Sequence, residues 1–168
     1  IPALAKLAGG IGDPQVRNRG TIGGSLANND PAADYPAAVL GLGATIITDK
    51  REIAVDQFFK GMFETALDAG EIITAVRFPM PECAAYVKLQ HPATRFAMVG
   101  VMVAKIGSTV RVAVTGAAPS VFRATEMEAA LTLKFEPNAL DGITIAADGL
   151  NNDIHASREY RAHLIGVL

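Results

Sequence analysis

The sequence predicts an α+β fold. Its candidate strands are short and follow one another directly, at residues 44–48 and 53–55 and again at 84–90, 96–106 and 110–116. Strands that succeed one another without an intervening helix usually pair antiparallel, whereas a doubly wound parallel sheet alternates strand and helix. Because that alternation is missing, we expect antiparallel sheets with helices packed on them.

The composition is that of a globular protein. Half of the 168 residues are hydrophobic, 19% are charged, and the formal net charge is −2 at pH 7. These values exclude a disordered chain and a general positive field that would attract nucleic acid. No apolar run approaches the roughly 20 residues of a membrane-spanning helix. One cysteine, Cys83, is too few for an internal disulfide or an iron–sulfur cluster, which favours a reducing, cytoplasmic location.

Helix signals come first along the chain. Residues 2–7 are predicted to form a short helix, with Pro2 at an early position where its missing N–H costs little. A second helix is expected at 36–42. Asp34 occupies the position of its N-cap, and Pro36 stands close behind.

Strand signals follow the second helix. The β-branched run at 44–48 ends in a charged turn, so 53–55 is predicted to return as its antiparallel partner. Residues 55–59 are expected to form a capped helical turn that carries two aromatic side chains to the core. The clearest strand of this half is 71–78, and two prolines end it.

A boundary between two domains is predicted at the proline-rich segment 79–82, which separates residues 1–81 from residues 84–168. Beyond it, the three extended segments predict a three-stranded antiparallel sheet. Helical periodicity then predicts three helices, at 125–133, 137–150 and 157–168.

The segment most informative about function is Arg-Asn-Arg-Gly-Thr-Ile-Gly-Gly-Ser at residues 17–25. Glycines let the main chain approach a ligand and adopt positive φ, and successive N–H groups form an anion-binding nest. The segment therefore predicts a cradle for a phosphorylated cofactor. A tight β-turn or bulge with exposed arginines is the alternative.

Other familiar site motifs are absent from the sequence. No G-x-x-x-x-G-K-[ST] occurs, and Gly10-Ile11-Gly12 begins a G-x-G-x-x-G motif in which Gln15 replaces the last glycine. None of the three histidines lies four residues from another, so we expect no metal site. Ser25 has no neighbouring histidine to act as its base, which leaves hydrolase chemistry without support.

Two aspartates and a lysine have roles that the residues alone leave open. Asp30 and Asp34 flank prolines at a helix start, where capping is the common use, and we assign capping to Asp30. If the glycine segment binds a pyrophosphate, Asp34 is suited to the hydroxyl-bearing part of the same ligand. Lys88 lies on a predicted strand, and alternation along that strand favours a solvent-facing side chain.

Several segments occur in an order that resembles one family. They comprise residues 19–27, 30–34, 70–79, 115–119, 123–124 and 155–161. The first two, Arg-Gly-Thr-Ile-Gly-Gly-Ser-Leu-Ala and Asp-Pro-Ala-Ala-Asp, are similar to the second FAD-binding motif of the medium subunits of molybdenum hydroxylases. Carbon monoxide dehydrogenases and xanthine dehydrogenases belong to this family. The resemblance extends over almost the whole chain.

The resemblance implies which residues bind FAD. Those expected along the FAD pyrophosphate are Thr21, Ile22, Gly23, Gly24 and Ser25. Asp34 is expected to hydrogen-bond the cofactor, Ile73 to lie beside the flavin, and Lys88 to reach it, which replaces the solvent-facing prediction. By the same resemblance, residues 1–81 form the middle FAD-binding subdomain and residues 84–168 the C-terminal domain. No side chain is assigned as acid, base or nucleophile, because the flavin carries the redox chemistry.

The resemblance also implies partners. The intact protein is expected to receive electrons from iron–sulfur clusters of a small subunit and to pass them through FAD to an external acceptor such as quinone, NAD⁺ or O₂. A large subunit would hold the molybdenum cofactor. Family members carry a first FAD loop on an N-terminal subdomain that has no counterpart in these 168 residues. We therefore expect the chain to be a fragment that is inactive alone and binds FAD weakly or not at all.

Two other functions remain open. A self-contained flavin oxidoreductase would need an acid–base residue at a substrate pocket, and the second half offers only His91 and Arg95. A non-catalytic interaction module would keep the fold without the cofactor. The sequence specifies neither the substrate nor the electron acceptor.

Overall fold

The computed structural model describes all 168 residues and combines helices with antiparallel sheets, so the predicted α+β class is confirmed. The helices are α1 (Pro2–Gly9), α2 (Pro14–Arg19), α3 (Ile22–Asn28), α4 (Tyr35–Gly41), α5 (Thr125–Leu133) and α6 (Arg158–Val167). The strands are β1 (Thr45–Thr48), β2 (Glu52–Ala54), β3 (Phe59–Gly61), β4 (Glu64–Thr65), β5 (Ile73–Arg77), β6 (Cys83–Gln90), β7 (Ala97–Ile106), β8 (Thr109–Thr115) and β9 (Phe122–Arg123).

The first sheet has the strand order β2-β1-β5 and is antiparallel throughout. Its central strand places Ile46 opposite Ile53 on one side and Val76 on the other. The predicted hairpin and the strand that follows it are therefore present. β5 begins two residues later than expected, because the Glu71 side chain lies in the adjoining turn, where it accepts hydrogen bonds from Thr48 and Arg51.

A small hairpin of β3 and β4 has no counterpart among the sequence predictions. Its strands have three and two residues, too few to show a period. A residue outside the hairpin contributes to its hydrogen bonding. The buried Asn29 donates from Nδ2 to the carbonyls of Gly61 at 2.7 Å and Glu64 at 2.9 Å. Just before it, the expected helical turn is a 3₁₀ helix over Val55–Gln57.

The second sheet has the order β6-β7-β8-β9, with β7 and β8 at its centre. The sequence predicted three of these strands, and the fourth, β9, is an addition. β9 has only two residues and pairs Arg123 with Ala113 and Phe122 with Val114. A strand of two residues is too short to show a periodic pattern in the sequence, and it forms by pairing with the edge of β8.

Two of the three helices predicted after the sheet are present. α6 begins behind Ser157, whose Oγ accepts a hydrogen bond from Tyr160 N at 3.2 Å. The helix predicted at 137–150 is wrong, because only the 3₁₀ turn Pro137–Leu140 forms there. Gly142 and Gly149 both adopt φ of +81°, a left-handed conformation that ends helical structure.

The second sheet lies between two hydrophobic cores. Met102 and Ala113 face α4 in the first core, together with β1 and the 3₁₀ segment near Phe58. On the opposite face, Val101 and Val112 pack against α5 and α6 in the second core. The alternation of side chains along β7 and β8 thus supplies both cores from the same strands.

The contact between α4 and the second sheet is close. A Cβ added to Gly41 would lie 2.7 Å from Cγ of Met102, so glycine allows α4 to approach β7. Arg111 on β8 also donates from Nε to the carbonyl of Leu40 at 2.9 Å. The first core thus draws on residues from both sides of segment 79–82, and the division into residues 1–81 and 84–168 stays a prediction. No helix has the length and apolar character needed to cross a membrane.

Candidate functional site

An open cleft lies between α2, α3 and the start of α4, with Phe96 at its far side. Its volume is about 530 Å³, within the range of small-molecule sites, about 300–1,000 Å³. Four of the residues predicted to bind a cofactor line it, namely Thr21, Gly24, Ser25 and Asp34. The structure thus brings the glycine segment and the aspartate to one concave surface.

The glycine segment is built from two short helices that meet at Gly20. Asp13 caps α2 by accepting a hydrogen bond from Val16 N at 2.8 Å. Thr21 caps α3 in the same way, with its Oγ1 3.0 Å from Gly24 N. A Cβ at Gly20 would lie 2.9 Å from the carbonyl oxygen of Val16, so only glycine fits the junction without displacement.

This geometry corrects both sequence interpretations of the segment. We expected either a nest of glycines with positive φ or a tight β-turn, yet neither Gly23 nor Gly24 has positive φ. Thr21 favours a helix start because its hydroxyl competes for backbone N–H groups. The segment therefore presents the N-terminal turn of a helix, whose first N–H groups lack intrahelical acceptors.

The other four predicted residues, Ile22, Gly23, Ile73 and Lys88, lie outside the cleft wall. Ile22 and Ile73 pack as partly buried side chains against the first core. Gly23 faces Ile73, and an added Cβ would lie 3.8 Å from the side chain of Ile73. α3 therefore rests on β5 through this pair and turns Gly24 and Ser25 toward the cleft.

Asp34 is the centre of a buried polar cluster. Its Oδ1 accepts a hydrogen bond from the Tyr86 hydroxyl at 2.6 Å and lies 2.9 Å from Lys88 Nζ, which is also 3.1 Å from Oδ2. The Asp34 side chain is 1% exposed and that of Lys88 is 10% exposed. A buried carboxylate needs such partners, because burial without them disfavours the charged form.

The electrostatic effects within this cluster oppose one another. Burial raises the pKa of Asp34 above its ordinary value, while hydrogen bonds from Tyr86 and Lys88 and the charge of Lys88 counteract that rise. Burial and the neighbouring Asp34 charge raise the pKa of Tyr86, so its hydroxyl stays protonated and donates. Asp34 also precedes α4 but makes no capping hydrogen bond there.

Lys88 joins the cleft to the loop that follows β6. Besides Asp34, its Nζ donates to the carbonyls of Gly10 at 2.9 Å and Arg95 at 3.0 Å. The solvent-facing orientation favoured by strand alternation is therefore wrong, because three acceptors from separate segments converge on the ammonium group. Arg95 has φ of +61°, unusual for a residue with a side chain, and this conformation directs its carbonyl to Lys88.

Sequence reasoning missed Tyr86 and Gly100. The two residues are on neighbouring strands, and a Cβ at Gly100 would clash with the Tyr86 hydroxyl. Gly100 therefore leaves the space through which Tyr86 reaches Asp34. Side chains two residues apart lie on the same face of a strand, so Tyr86 shares a face with the predicted ligand Lys88. That spacing is the sequence signal that could have identified Tyr86.

The loop between α3 and α4 is fixed from the second sheet. Thr115 Oγ1 donates to the carbonyl of Ala33 at 2.7 Å and also lies 3.1 Å from the carbonyl oxygen of Pro31. The helix-capping role predicted for Asp30 is wrong. Its Oδ1 instead accepts from Ala32 N at 2.8 Å and closes a local turn, because α4 does not begin until Tyr35.

Two arginines supply positive charge to the cleft wall. Arg17 is held in place because its Nη1 donates to the carbonyl of Ile11 at 2.8 Å. Arg19 is exposed and lines the same cleft. Both stand beside the N-terminal turn of α3, so cationic side chains and unpaired N–H donors occur together, as an anion-binding wall requires.

Comparison with known proteins identifies related sequences. Residues 1–81 match the family described as the FAD binding domain in molybdopterin dehydrogenase. The chain is 32% identical to the carbon monoxide dehydrogenase medium chain of Hydrogenophaga pseudoflava, over 99% of this chain and 63% of the relative. It is 34% identical to the nicotine 6-hydroxylase medium subunit of Paenarthrobacter nicotinovorans, over 98% of this chain and 63% of the relative.

Solved structures extend the similarity to the fold. Carbon monoxide dehydrogenase from Hydrogenophaga pseudoflava superposes with a TM-score of 0.81 at 32% identity, covering 99% of this chain and 64% of that chain. Quinoline 2-oxidoreductase from Pseudomonas putida 86 gives 0.81 at 27% identity with the same coverage. The chain thus spans less than two-thirds of the length of these relatives.

Proposed function

Since this chain belongs to the family of FAD-binding domains in molybdopterin dehydrogenases, we propose that it binds FAD as part of the medium subunit of a molybdenum hydroxylase. The observation that carries this proposal is the cleft in which the start of α3, two arginines and the buried Asp34 meet. That arrangement offers donors for a pyrophosphate and an acceptor for a hydroxyl group on one wall.

The pyrophosphate is assigned to the glycine segment. The first turn of α3 offers backbone N–H groups, and the helix dipole favours negative charge at this end. Gly24 has no side chain and Ser25 has a small one, so a ligand reaches the backbone closely. Arg19 adds an exposed cation on the same wall. The donor set therefore fits the phosphorylated part of FAD.

Asp34, Lys88 and Ile73 are assigned to the rest of the cofactor. Tyr86 and Lys88 occupy part of the hydrogen-bonding capacity of Asp34, and a carboxylate with about four lone-pair sites keeps capacity for a hydroxyl donor. Lys88 is held immobile by its three acceptors, which makes it a fixed positive charge close to the cleft. Ile73 supports α3 from behind, and its assignment to the flavin rests on the resemblance to the family.

FAD supplies the redox chemistry when bound, and the chain contributes binding, orientation and electrostatic tuning. We propose that electrons reach it from iron–sulfur clusters of a small subunit and leave to an external acceptor, with the molybdenum cofactor on a large subunit. Supporting this division, these residues include one cysteine, whereas a typical cluster uses four ligands. The relatives named as medium chains and medium subunits agree with it.

Purification from the native organism tests the proposal. The chain would carry an affinity tag, and flavin, iron and molybdenum would be quantified in the recovered material. We expect FAD, both metals and two further subunits. Bound FAD without other subunits would favour a self-contained flavin oxidoreductase instead. Recovery without flavin and without partners would contradict the proposal and favour an interaction module.

A separate prediction concerns the affinity of the 168-residue chain for FAD, which a titration measures. We expect a dissociation constant above about 1 μM by flavin fluorescence, because the open cleft provides one wall of the site. The Arg19→Ala variant should weaken binding by about three- to tenfold through loss of a charge-assisted contact. Arg158→Ala removes an exposed arginine from α6 and serves as the control, with no change expected. Submicromolar affinity would contradict the interpretation that the cleft provides one wall of the FAD site. Equal affinities of the Arg19→Ala and Arg158→Ala variants would contradict the assignment of the pyrophosphate to the glycine segment.

A further inference from the structure

Lys88 lies behind the wall of the FAD cleft. It does not line the cleft itself, and its side chain is only 10% exposed. An ammonium group carries three N–H donors, and three acceptors surround Nζ: the Asp34 carboxylate at 2.9 Å, the carbonyl of Gly10 at 2.9 Å and the carbonyl of Arg95 at 3.0 Å. Every donor of Lys88 is therefore used within the chain, and none remains for a cofactor.

The three acceptors belong to separate parts of the cleft wall. Gly10 follows α1 and directly precedes Ile11, which lines the cleft. Asp34 lines the cleft at the start of α4. Arg95 lies in the loop after β6 and directly precedes Phe96, at the far side of the cleft. One ammonium group thus joins segments that are distant in sequence and meet around the same opening.

The loop of residues 91–96 shows what this contact holds in place. Two backbone hydrogen bonds close the loop, from His91 N to the carbonyl of Phe96 and from Arg95 N to the carbonyl of His91, both at 2.8 Å. A further contact joins the His91 ring to His155, with Nε2 3.2 Å from Nδ1. Arg95 has φ of +61°, a conformation that a residue with a side chain adopts only where its surroundings hold it. The hydrogen bond from Lys88 holds it, and the next residue, Phe96, is thereby placed at the cleft.

Positioning and direct contact have different consequences for the ligands of a cleft. A residue that touches one part of a ligand affects only those ligands that contain this part. A residue that holds the walls in place increases the fraction of molecules that are ready to bind, so it affects every ligand of the cleft by a similar factor. The two roles can be distinguished here because ADP contains the adenosine and the pyrophosphate of FAD and lacks its flavin.

We propose that Lys88 is a positioning residue of the FAD cleft, which holds Gly10, Asp34 and Arg95 in place and donates no hydrogen bond to the cofactor. The three filled donors carry this inference, together with the position of Lys88 behind the cleft wall. The inference rests on the proposed FAD binding. It differs from the resemblance to the family, which implies that Lys88 reaches the flavin.

Titration of a Lys88→Met variant with FAD and with ADP tests the proposal. The substitution removes the ammonium group and nearly keeps the length of the side chain. Flavin fluorescence would follow FAD, and NMR of the backbone amides would follow ADP. We expect Lys88→Met to weaken both ligands by a similar factor, at least about fivefold relative to the unmodified chain. Lys50→Met removes an exposed lysine from the turn between β1 and β2 and should leave both affinities unchanged.

Two outcomes of these titrations would overturn the proposal. Weaker FAD binding with unchanged ADP binding would assign Lys88 to the flavin by direct contact, and it would leave the proposed function intact. Unchanged affinities for both ligands would show that the walls hold their arrangement without Lys88. A loss of global stability alone does not imitate the expected result, because affinities are unaffected while the variant remains folded.

A measurement without ligand separates a failure of this proposal from a failure of the proposed function. In Lys88→Met, amide hydrogen exchange at His91 and Arg95 should accelerate at least about fivefold more than at Val112, whose N–H is buried and bonded to Glu128. The reason is that the loop loses its anchor while β8 keeps its contacts. Equal acceleration would indicate a general loss of stability and would overturn the proposal. If neither ligand binds to the 168-residue chain, this comparison alone decides.

A second pair of variants covers the case in which Lys88→Met does not fold. That substitution leaves the buried Asp34 without its counter-charge, which is costly. Asp34→Asn removes the charge beforehand, so Asp34→Asn/Lys88→Met can be compared with Asp34→Asn alone. We expect the same difference in exchange between the loop of residues 91–96 and Val112, and its absence would overturn the proposal.

Discussion

Asp34 illustrates how far a single residue can be interpreted from sequence. Its position before a proline and a run of alanines indicates an N-cap, and α4 does begin directly after it. Its carboxylate nevertheless bonds to Tyr86 and Lys88, 52 and 54 residues away. A local rule identified the backbone role of Asp34, and one distant strand, β6, determined the role of its side chain.

Substitution of Tyr86 tests the importance of this cluster for stability. Tyr86→Phe removes the hydroxyl that donates to Asp34 and keeps the ring, so we expect the free energy of unfolding to fall by about 1.5–3 kcal/mol. Urea denaturation measures the change. Tyr160→Phe is the matched control, because Tyr160 is 46% exposed and its loss should fall within about 0.5 kcal/mol. Equal stability of the two variants would mean that the Asp34 hydrogen bond contributes nothing net.

At the scale of elements, α3 is positioned by its ends. Thr21 caps its start, while Asn29 follows its last residue with φ of +45° and anchors the β3–β4 hairpin. The cap at Thr21 follows from local sequence. The role of Asn29 does not, because Gly61 and Glu64 lie 32 and 35 residues further along the chain.

Two substitutions at Asn29 separate its backbone role from its side-chain role. Asn29→Gly tolerates the left-handed conformation but loses the hydrogen bonds to Gly61 and Glu64, at a cost of about 1–3 kcal/mol. Asn29→Ala should cost about 1–2 kcal/mol more, since alanine disfavours this conformation. Thermal or urea unfolding provides both values, and Asn152→Ala at an exposed position is the control. The assignment fails if alanine is tolerated as well as glycine.

The turn between β1 and β2 is joined to the start of β5 by Glu71. Hydrogen bonds from Arg51, from Asp68 N and from the Thr48 hydroxyl lower the pKa of Glu71 from 4.5 to about 2. Because the folded state holds this carboxylate ionised, its contribution to stability is fully present above about pH 4.5 and is lost as the pH falls toward 2.

Acid unfolding of a Glu71→Gln variant tests this contribution. We expect the stability of the variant to depend less on pH than that of the unmodified chain between about pH 4.5 and pH 2, measured as urea midpoints across that interval. Glu126→Gln changes an exposed glutamate of α5 and should preserve the original slope. If the stability of Glu71→Gln depended on pH as steeply as that of the unmodified chain, the acid sensitivity would belong to other groups.

At the scale of the whole molecule, the second sheet connects the two predicted domains. One face of β7 and β8 packs on α4 in the first core, and the other packs on α5 and α6 in the second. The fold class, most strands and the position of the glycine segment follow from local periodicity and turn residues. Which helix covers which face of the sheet depends on contacts between residues distant in sequence.

This shared sheet predicts cooperative unfolding. Methyl signals of Ile46 in the first core and Val112 in the second should lose intensity at the same urea concentration. Gly41→Ala should lower both midpoints together and reduce the free energy of unfolding by about 1–3 kcal/mol, because the added Cβ would lie 2.7 Å from Met102 Cγ. Gly166→Ala, where no atom beyond its chain neighbours and the nearby backbone of α6 lies within 4 Å of the added carbon, should cause no loss of stability. Separate midpoints would favour two independent domains.

The sequence by itself determined the α+β class, the order of most strands, and the glycine segment with its resemblance to an FAD-binding motif. These features depend on residue types and spacing within short windows, where periodicity and capping act locally. Only the tertiary structure decided that Tyr86 and Lys88 hold Asp34, and that His91 meets His155. Those contacts join residues more than 50 positions apart, and chain packing, which no local pattern encodes, brings them together.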